Sequence, residues 1–227
     1  RDGLFFMLTA EVSNIYFKAG RTRKVHTIIF APDIRCVRQI NAFLSAYGDL
    51  AADGRPIVSI DAREMVRRLD EINPDIFCVP AHVWTPHFSV FGAHSGFDSL
   101  EECFEEQTPK IIALETGLSS DPPMNYRLSR LDRCALISNS DCHSPAKIGR
   151  EANVFSRQLG YRQLREVLKR KDASIFRYTI EFFPEEGKYH WDGHRQCKMR
   201  LDPAEAKRLN TIRSEERRVG KECTIQC

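Results

Sequence analysis

Side chains that commonly bind metal ions lie beside short apolar, strand-like runs at widely separated points of this sequence. Each lies at or near the end of such a run, at residues 4–8, 27–30, 76–79 and 135–137. In an α/β barrel the C-terminal ends of the strands open onto one face, so ligands placed there converge. Carboxylates and imidazoles together suit zinc, manganese or iron. The pattern therefore predicts a metal-dependent hydrolase, and the candidate ligands are Glu11, His26, His82, Asp141 and His143.

Strand-like and helix-like segments alternate along most of the chain. Asp33 and Asp61 are placed to cap two helices, and Ser99 favours the start of a third. A fourth helix is predicted from Pro122 to Leu128, and apolar residues at helical spacing predict a fifth over 161–168. Repeated βα units indicate an α/β fold with parallel strands and helices outside.

Composition narrows the class of protein. The chain has 227 residues, 42% hydrophobic and 29% charged, which is typical of a folded domain with a small appendage. No apolar run reaches the roughly 18 residues that span a membrane, and a net charge of +3 does not by itself indicate nucleic-acid binding. Cys36, Cys78, Cys103 and Cys134 fall in apolar patterns, which favours packed free thiols and a reducing cytoplasm.

The segment Asp141-Cys142-His143 is a D-x-H element that follows a strand-like run. In an extended chain both side chains project to the same side, so they could serve one ion together. A D-x-H alone is more often a helix cap or a surface pair, but His26 and His82 beside other strands favour the metal interpretation. We assign Glu11 and Asp141 as the catalytic carboxylates of this site.

A second group of residues is predicted to meet the substrate. Trp84 and His87, with Phe88 beside them, could form a rim on which a nucleobase stacks, although ordinary core packing is the alternative. Glu115 ends a further strand, where it could orient a ligand. The predicted substrate-binding residues are Trp84, His87, Ser119, Ser120 and Asn125.

The motifs together closely resemble the endonuclease Q family. Those that carry the resemblance are TAEVSNIY, KVHTIIFAP, VPAHVWTP, GFDSLEECF, ALETGLSSDPPMNYRLS, SNSDCHSP, GREANVF and FFPEEGKYHWDGHRQC. The resemblance implies a polymerase-and-histidinol-phosphatase (PHP) domain, a distorted β/α barrel with several bound metal ions. It makes Glu11 a bridging carboxylate, with His26, His82, Asp141 and His143 as further ligands of Zn, Mg or Mn. The implied activity nicks DNA on the 5′ side of deaminated bases or abasic sites.

The same resemblance predicts how the chain is divided. Residues 1–175 correspond to the PHP-like domain, without the family's N-terminal H-x-H, so we expect this fragment to be inactive although the full-length protein is an enzyme. Residues 176–212 correspond to the start of a small zinc-binding domain, with Cys197 and His190 or His194 as ligands. Residues 213–227 resemble a translated sequencing adapter, and we expect them not to belong to the natural protein.

Two other functions remain open at this point. Other PHP proteins hydrolyse small phosphate esters, which would require a narrow pocket without an aromatic rim. A non-catalytic DNA-binding or helicase-associated module with a degenerate site is the second alternative, and the retained ligand-type residues argue against it.

Overall fold

The computed structural model describes residues 3–52 and 54–187 in full, and beyond them the backbone of two short strands. The strands are β1 (Leu8–Lys18), β2 (Arg21–Ala31), β3 (Ile57–Val58), β4 (Phe77–Pro80), β5 (Ala113–Glu115), β6 (Ala135–Ile137), β7 (Ala152–Phe155), β8 (Phe176–Ile180), β9 (Asp192–His194) and β10 (Met199–Leu201). The α-helices are α1 (Ile34–Leu44), α2 (Ala62–Ile72), α3 (Leu100–Phe104), α4 (Pro122–Asn125) and α5 (Tyr161–Arg170). Short 3₁₀ turns lie at Glu105–Lys110, Ser129–Leu131, Pro145–Lys147 and Pro184–Glu186.

A long antiparallel hairpin replaces the first predicted βα unit. β1 pairs with β2 from Leu8↔Ala31 to Lys18↔Arg21, so two residues form the turn. Ala19 and Gly20 both have positive φ, 51° and 79°, which is the geometry of the type I′ turn that suits a twisted hairpin. The predicted strand over 4–8 is wrong, since β1 begins at Leu8 and Glu11 lies within it.

The hairpin forms the middle of a four-stranded mixed sheet, ordered β3-β1-β2-β4. β3 runs parallel to β1, whereas β4 runs antiparallel to β2. β5 and β6 form a separate parallel pair, and β7 and β8 an antiparallel pair. The mixed α/β class is confirmed. The expectation that the strands are uniformly parallel is wrong, because the hairpin reverses the chain without a helix.

The predicted helix starts are correct where a polar side chain caps them. Asp33, Asp61 and Ser99 each accept a hydrogen bond from a backbone N–H in the first turn of α1, α2 and α3. Asp121 does the same for α4, but that helix ends at Asn125 and not at Leu128. The segment between α1 and α2 contains β3, whose partner β1 is distant in sequence, so no local pattern predicted this strand.

Apolar residues of α1, α2 and α3 pack on the hairpin sheet in the larger of two core clusters, around Val25, Met65 and Phe104. A smaller cluster joins β4, β5 and β6 to α5 through Val79, Ala113 and Leu168. Four cysteines, Cys36, Cys78, Cys103 and Cys134, are buried free thiols, as the apolar patterns predicted. No helix among the described residues is long and apolar enough to cross a membrane.

The predicted boundary at residue 175 falls just before β8. β8 pairs with β7, and Ser138 Oγ donates to Ile180 O over 3.0 Å, so residues 176–180 contact the preceding unit. The division at 175 and 212 stays a prediction. Of the predicted zinc ligands, His190 and Cys197 lie outside the described residues, and His194 is described only as part of the β9 backbone. Residues 213–227 also lie outside them.

Candidate metal centre

The hairpin brings Glu11 and His26 together. Ser13 lies directly opposite His26 in the register, and Glu11 is two residues before Ser13 on the same face of β1. Glu11 and His26 are therefore diagonal neighbours across the two strands, a separation that long side chains can bridge. Glu11 Oε1 lies 3.1 Å from His26 Nδ1.

His82 reaches the same point from the loop that follows β4. Its backbone has a positive φ of 32°, and its N–H donates to Glu115 Oε2 over 2.8 Å. Gly117 lies against it so closely that an added Cβ would be 2.4 Å from His82 Cβ. The end of β5 therefore holds the His82 backbone, and that Glu115 in this way orients a metal ligand stays a prediction.

The ligand atoms of these three residues are spaced as a metal ion would require. His82 Nε2 lies 3.1 Å from His26 Nδ1 and 3.4 Å from Glu11 Oε1. Ligands about 2.1 Å from a tetrahedral zinc are separated by roughly 3.4 Å. Among the described residues, Glu11, His26 and His82 are the group of at least three His, Cys, Asp or Glu side chains whose ligand atoms lie close enough together to hold one ion. One carboxylate and two imidazoles suit zinc, manganese or iron.

The electrostatics of the group favour a deprotonated carboxylate. Burial would raise the pKa of Glu11, but its contacts with His26 and His82 and the charge of Arg55 hold that pKa well below its usual range. Burial lowers the pKa of His26, which favours the neutral imidazole that binds metals. Burial would also lower the pKa of His82, yet the nearby Glu11 and Glu115 carboxylates raise it.

Arg55, for which no sequence pattern predicted a role, lies between the two predicted catalytic carboxylates. Its Nε is 2.9 Å from Glu11 Oε1, and its Nη2 is 3.0 Å from Glu11 Oε2. The same Nη2 is 3.5 Å from Asp141 Oδ1. The Arg55 guanidinium therefore bridges the carboxylates of Asp141 and Glu11. The contact depends on the pairing of β3 with β1, for which no local sequence signal exists.

The structure does not bring His143 to the other ligands. Its side chain is 77% exposed, and its Nδ1 lies 2.9 Å from the backbone oxygen of Asp141. Arg150 contacts the Ser140 and Asp141 backbone oxygens over 2.8 and 3.1 Å. Residues 142–149 are all exposed. The assignment of Asp141 and His143 as metal ligands stays a prediction.

The loop between His82 and α3 covers the ligand group by pairing with β2. His26 N donates to Phe88 O and Lys24 N to Ser95 O, over 2.9 and 3.2 Å. The Phe88 ring lies 4.9 Å from the His26 ring, between centroids. Phe88 thus packs against a candidate ligand.

The other predicted substrate residues mostly support the loop. Trp84 Nε1 donates to Asn125 Oδ1 over 2.9 Å, and Asn125 Nδ2 donates to Ser120 Oγ over 3.1 Å. Ser120 and Asn125 are fully buried, so contact with a substrate would require this segment to open. Ser119 lies 3.5 Å from Thr85 between hydroxyl oxygens, and the His87 ring stacks on His94 at 4.8 Å. Substrate binding by this set stays a prediction.

A polar network behind His82 joins it to the D-x-H loop, and sequence reasoning missed most of it. Asn139 Nδ2 donates to Glu115 Oε1 over 2.7 Å, and Asn153 Nδ2 donates to Asn139 Oδ1 over 3.1 Å. Burial raises the pKa of Glu115 to about 7. The one available signal was that Asn139 precedes Asp141 after a strand. Nothing in the sequence linked it to Asn153.

The chain matches no protein-family model. The uncharacterized protein YqxK of Bacillus subtilis strain 168 is 29% identical over 175 residues, which are 76% of this chain and 44% of that protein.

Two solved structures share the fold. The lesion-specific endonuclease PfuEndoQ from Pyrococcus furiosus matches with a TM-score of 0.68 and 28% identity, over 82% of this chain and 46% of its own. An endonuclease Q complex with a 27-mer duplex substrate, which has an abasic lesion at the active site, matches with a TM-score of 0.69 and 27% identity, over the same shares of the two chains, 82% and 46%. The resemblance to endonuclease Q drawn from the motifs is thus confirmed. The chain spans less than half the length of these relatives.

Proposed function

We propose that this protein, at full length, is a metal-dependent DNA repair endonuclease that cuts on the 5′ side of deaminated bases or abasic sites. The observation that carries the proposal is the Glu11–His26–His82 ligand group, in a chain whose fold is similar to that of a lesion-specific endonuclease. The deaminated bases come from the sequence resemblance, and the abasic site also appears as the lesion in the endonuclease Q complex.

Glu11, His26 and His82 would hold the ion, which when bound supplies charge neutralisation at the scissile phosphate and activation of a water molecule. Zinc, magnesium and manganese are the proposed candidates. Glu115 keeps the His82 backbone in place, and Phe88 packs against His26, so neither ligand has to reorganise when the ion binds. Asp141 and His143 would complete the set from the exposed D-x-H loop.

The exposed D-x-H loop, which reaches the ligand group through Asp141 and Arg55, supports a large substrate over a small one. Residues 142–149 form an exposed edge that carries His143 and Lys147. Small-molecule sites are usually concave and enclose most of the ligand. A cavity of about 930 Å³ does exist between β6 and β8, but none of the ligand group lines it. These features favour DNA over a small phosphate ester.

An incision assay tests the proposal. The full-length protein should cut a labelled duplex 5′ of a uracil, a hypoxanthine or an abasic site when Mg²⁺, Mn²⁺ or Zn²⁺ is present, and should spare the undamaged duplex. His82→Ala and Asp141→Asn should each lose at least about 100-fold in rate. Arg162→Ala is the matched control, because Arg162 pairs with Asp75 before the start of β4, whereas His82 follows its end.

Two outcomes would contradict the proposal. Hydrolysis of a small phosphomonoester without DNA incision would indicate the phosphoesterase alternative. Binding of damaged duplex with no incision in any metal would indicate the non-catalytic module.

A further inference from the structure

Arg55 lies between the two predicted catalytic carboxylates, Glu11 and Asp141, and contacts both. The guanidinium contacts both Glu11 oxygens, at 2.9 and 3.0 Å, and reaches Asp141 Oδ1 at 3.5 Å. Guanidinium stays protonated at every accessible pH, and its planar fork matches carboxylates and phosphates equally well. The Arg55 guanidinium is therefore a permanent positive charge in contact with two carboxylates.

The fold fixes the position of the Arg55 backbone, and the Arg55 side chain is partly exposed to solvent. Ser13 N donates to Pro56 O over 2.8 Å, and the parallel pairing of β3 with β1 begins at the next residue, Ile57. This pairing sets Arg55 beside Glu11, which is two residues before Ser13. The Arg55 side chain is 25% exposed, so it is accessible from the solvent side of the site.

Arg55 and a metal ion would compete for the same atom. Glu11 Oε1 is approached by Arg55 Nε at 2.9 Å and by the ligand nitrogens of His26 and His82 at 3.1 and 3.4 Å. A divalent ion bound to these three residues would need that oxygen and would be repelled by a guanidinium so near. Binding of an ion at this oxygen would therefore displace Arg55 Nε from it.

We propose that Arg55 is a phosphate-binding residue that exchanges partners: its guanidinium pairs with Glu11 and Asp141 until a divalent ion takes its place, and it then binds a phosphate of the DNA backbone. The inference rests on the proposed function for its second partner, the DNA phosphate. Its first step, the competition with the metal ion, concerns only residues of this chain. Binding of the ion and of DNA are then linked, because each favours the state in which Arg55 has left Glu11.

A purely structural role makes the opposite prediction about metal binding. If Arg55 served only to orient Glu11, its removal would loosen the carboxylate and weaken the metal site. If Arg55 competes with the ion, its removal strengthens the site. The direction of the change in metal affinity therefore separates the two roles.

The experiment measures Mn²⁺ affinity by calorimetry and by the loss of the free-ion electron paramagnetic resonance signal, with the full-length protein. Arg55→Gln removes the charge and keeps a polar side chain of moderate length, and Arg55→Lys keeps the charge without the fork. We expect Arg55→Gln to bind Mn²⁺ about tenfold more tightly than wild type and Arg55→Lys to stay within about threefold of it. Arg162→Ala, which breaks the Arg162–Asp75 pair, is the control and should leave Mn²⁺ affinity unchanged.

A second measurement follows binding of a duplex with a stable abasic-site analogue at saturating Mn²⁺, by fluorescence anisotropy. Arg55→Gln should bind this duplex about tenfold more weakly than wild type, although it holds the metal more tightly. Circular dichroism spectra and thermal unfolding show whether each variant folds, and if Arg55→Gln does not, Arg55→Met replaces it as the variant without the charge.

Unchanged or weaker Mn²⁺ binding by folded Arg55→Gln would overturn the inference, and so would unchanged binding of the duplex. These results differ from a failure of the proposed function. If wild-type protein neither bound nor cut damaged DNA, the proposed function would fail, while the Mn²⁺ titration would still decide whether Arg55 competes with the ion.

Discussion

The backbone N–H of His82, in the loop after β4, donates to Glu115 Oε2 at the end of β5 over 2.8 Å, although the two residues are 33 positions apart in the chain. The bond holds His82 in a left-handed conformation that a non-glycine residue rarely adopts unaided. Its consequence is that the geometry of a candidate metal ligand depends on the end of the neighbouring strand. Changes in β5 and in the residues that follow it should therefore alter metal binding without touching a ligand.

Gly117→Ala tests this dependence most directly. The new Cβ would lie 2.4 Å from His82 Cβ, and Gly117 has a φ of +62°. We expect a loss of about 2–4 kcal/mol in the free energy of unfolding and at least about tenfold weaker metal binding. Urea unfolding and Mn²⁺ titration provide the two measurements.

Gly20→Ala is the matched control for Gly117→Ala. Gly20 has a φ of +79°, and an added Cβ there meets no atom within 4 Å. Gly20→Ala should lose only about 1 kcal/mol in the free energy of unfolding, because alanine is strained at a positive φ, and it should keep wild-type metal affinity. Equal metal affinities in Gly117→Ala and wild type would show that His82 does not depend on the close approach.

Metal addition should stabilise the protein through Glu11, His26 and His82. Zn²⁺ or Mn²⁺ at 100-fold excess over the dissociation constant contributes about 2.7 kcal/mol, or a rise of about 5–10 °C in Tm for a domain of this size. His82→Ala should abolish the rise, and a chelator should reverse it in wild type. Differential scanning fluorimetry measures each case.

His143→Ala tests whether His143 is a metal ligand, as the sequence resemblance implies, or stays outside the ligand group, as in the structure. The exposed His143 side chain lies 3.9 Å from Asp141 and is not part of the Glu11–His26–His82 group, so most of the metal-induced rise in Tm should remain in this variant. If His143→Ala abolishes the rise as fully as His82→Ala does, the D-x-H loop closes onto the ion when it binds, as the family resemblance implies.

Glu151 should make the stability of the fold depend on pH. Burial raises the pKa of this carboxyl from its ordinary value of 4.5 to about 7, and its Oε1 accepts a hydrogen bond from Phe182 N. Because the folded state holds the proton more tightly, the contribution to stability is complete below about pH 4.5 and is lost as pH rises towards 7. The loss is at most about 3 kcal/mol.

Glu151→Gln should remove this dependence, because glutamine stays neutral over the whole range. Urea unfolding of wild type and variant at intervals between pH 4.5 and 8 measures the difference between them. We expect the difference in unfolding free energy to change with pH up to about 7 and to stay constant above it. Parallel curves over the full range would contradict the assignment.

Arg23 should hold the loop that carries Phe88 against His26. This buried arginine bonds to Gly96 O, stacks on the Phe97 ring at 4.0 Å and pairs with Glu102 at 3.3 Å. Arg23→Met removes these three contacts from a buried position, so we expect a loss of about 2–4 kcal/mol in unfolding free energy and faster proteolysis within residues 83–97.

Arg21→Met is the control for Arg23→Met, because Arg21 also donates to Gly96 O, over 3.2 Å, but from an exposed position. Arg21→Met should lower the free energy of unfolding by less than about 1 kcal/mol. Similar losses in the two variants would show that burial of Arg23 does not determine how the loop is held.

The sequence by itself determined the features that depend on neighbouring residues. The caps at Asp33, Asp61 and Ser99 bond to N–H groups two or three residues ahead, so the local sequence contains both partners. Burial of the cysteines followed from apolar spacing, and the motifs carried the likeness to endonuclease Q. His82 and Glu115 were correctly placed beside strand ends because apolar runs mark those strands.

Only the tertiary structure decided which of these residues meet. Glu11 and His26 meet through the register of an antiparallel hairpin, whereas the sequence predicted convergence at the ends of parallel strands. Arg55 lies on Glu11 because β3 pairs with β1 across more than forty residues of sequence. Alternation along a strand specifies which face a side chain takes, but not which strand lies beside it. Pairing between distant strands is a property of the packed chain, and it brought the ligand group and its arginine together.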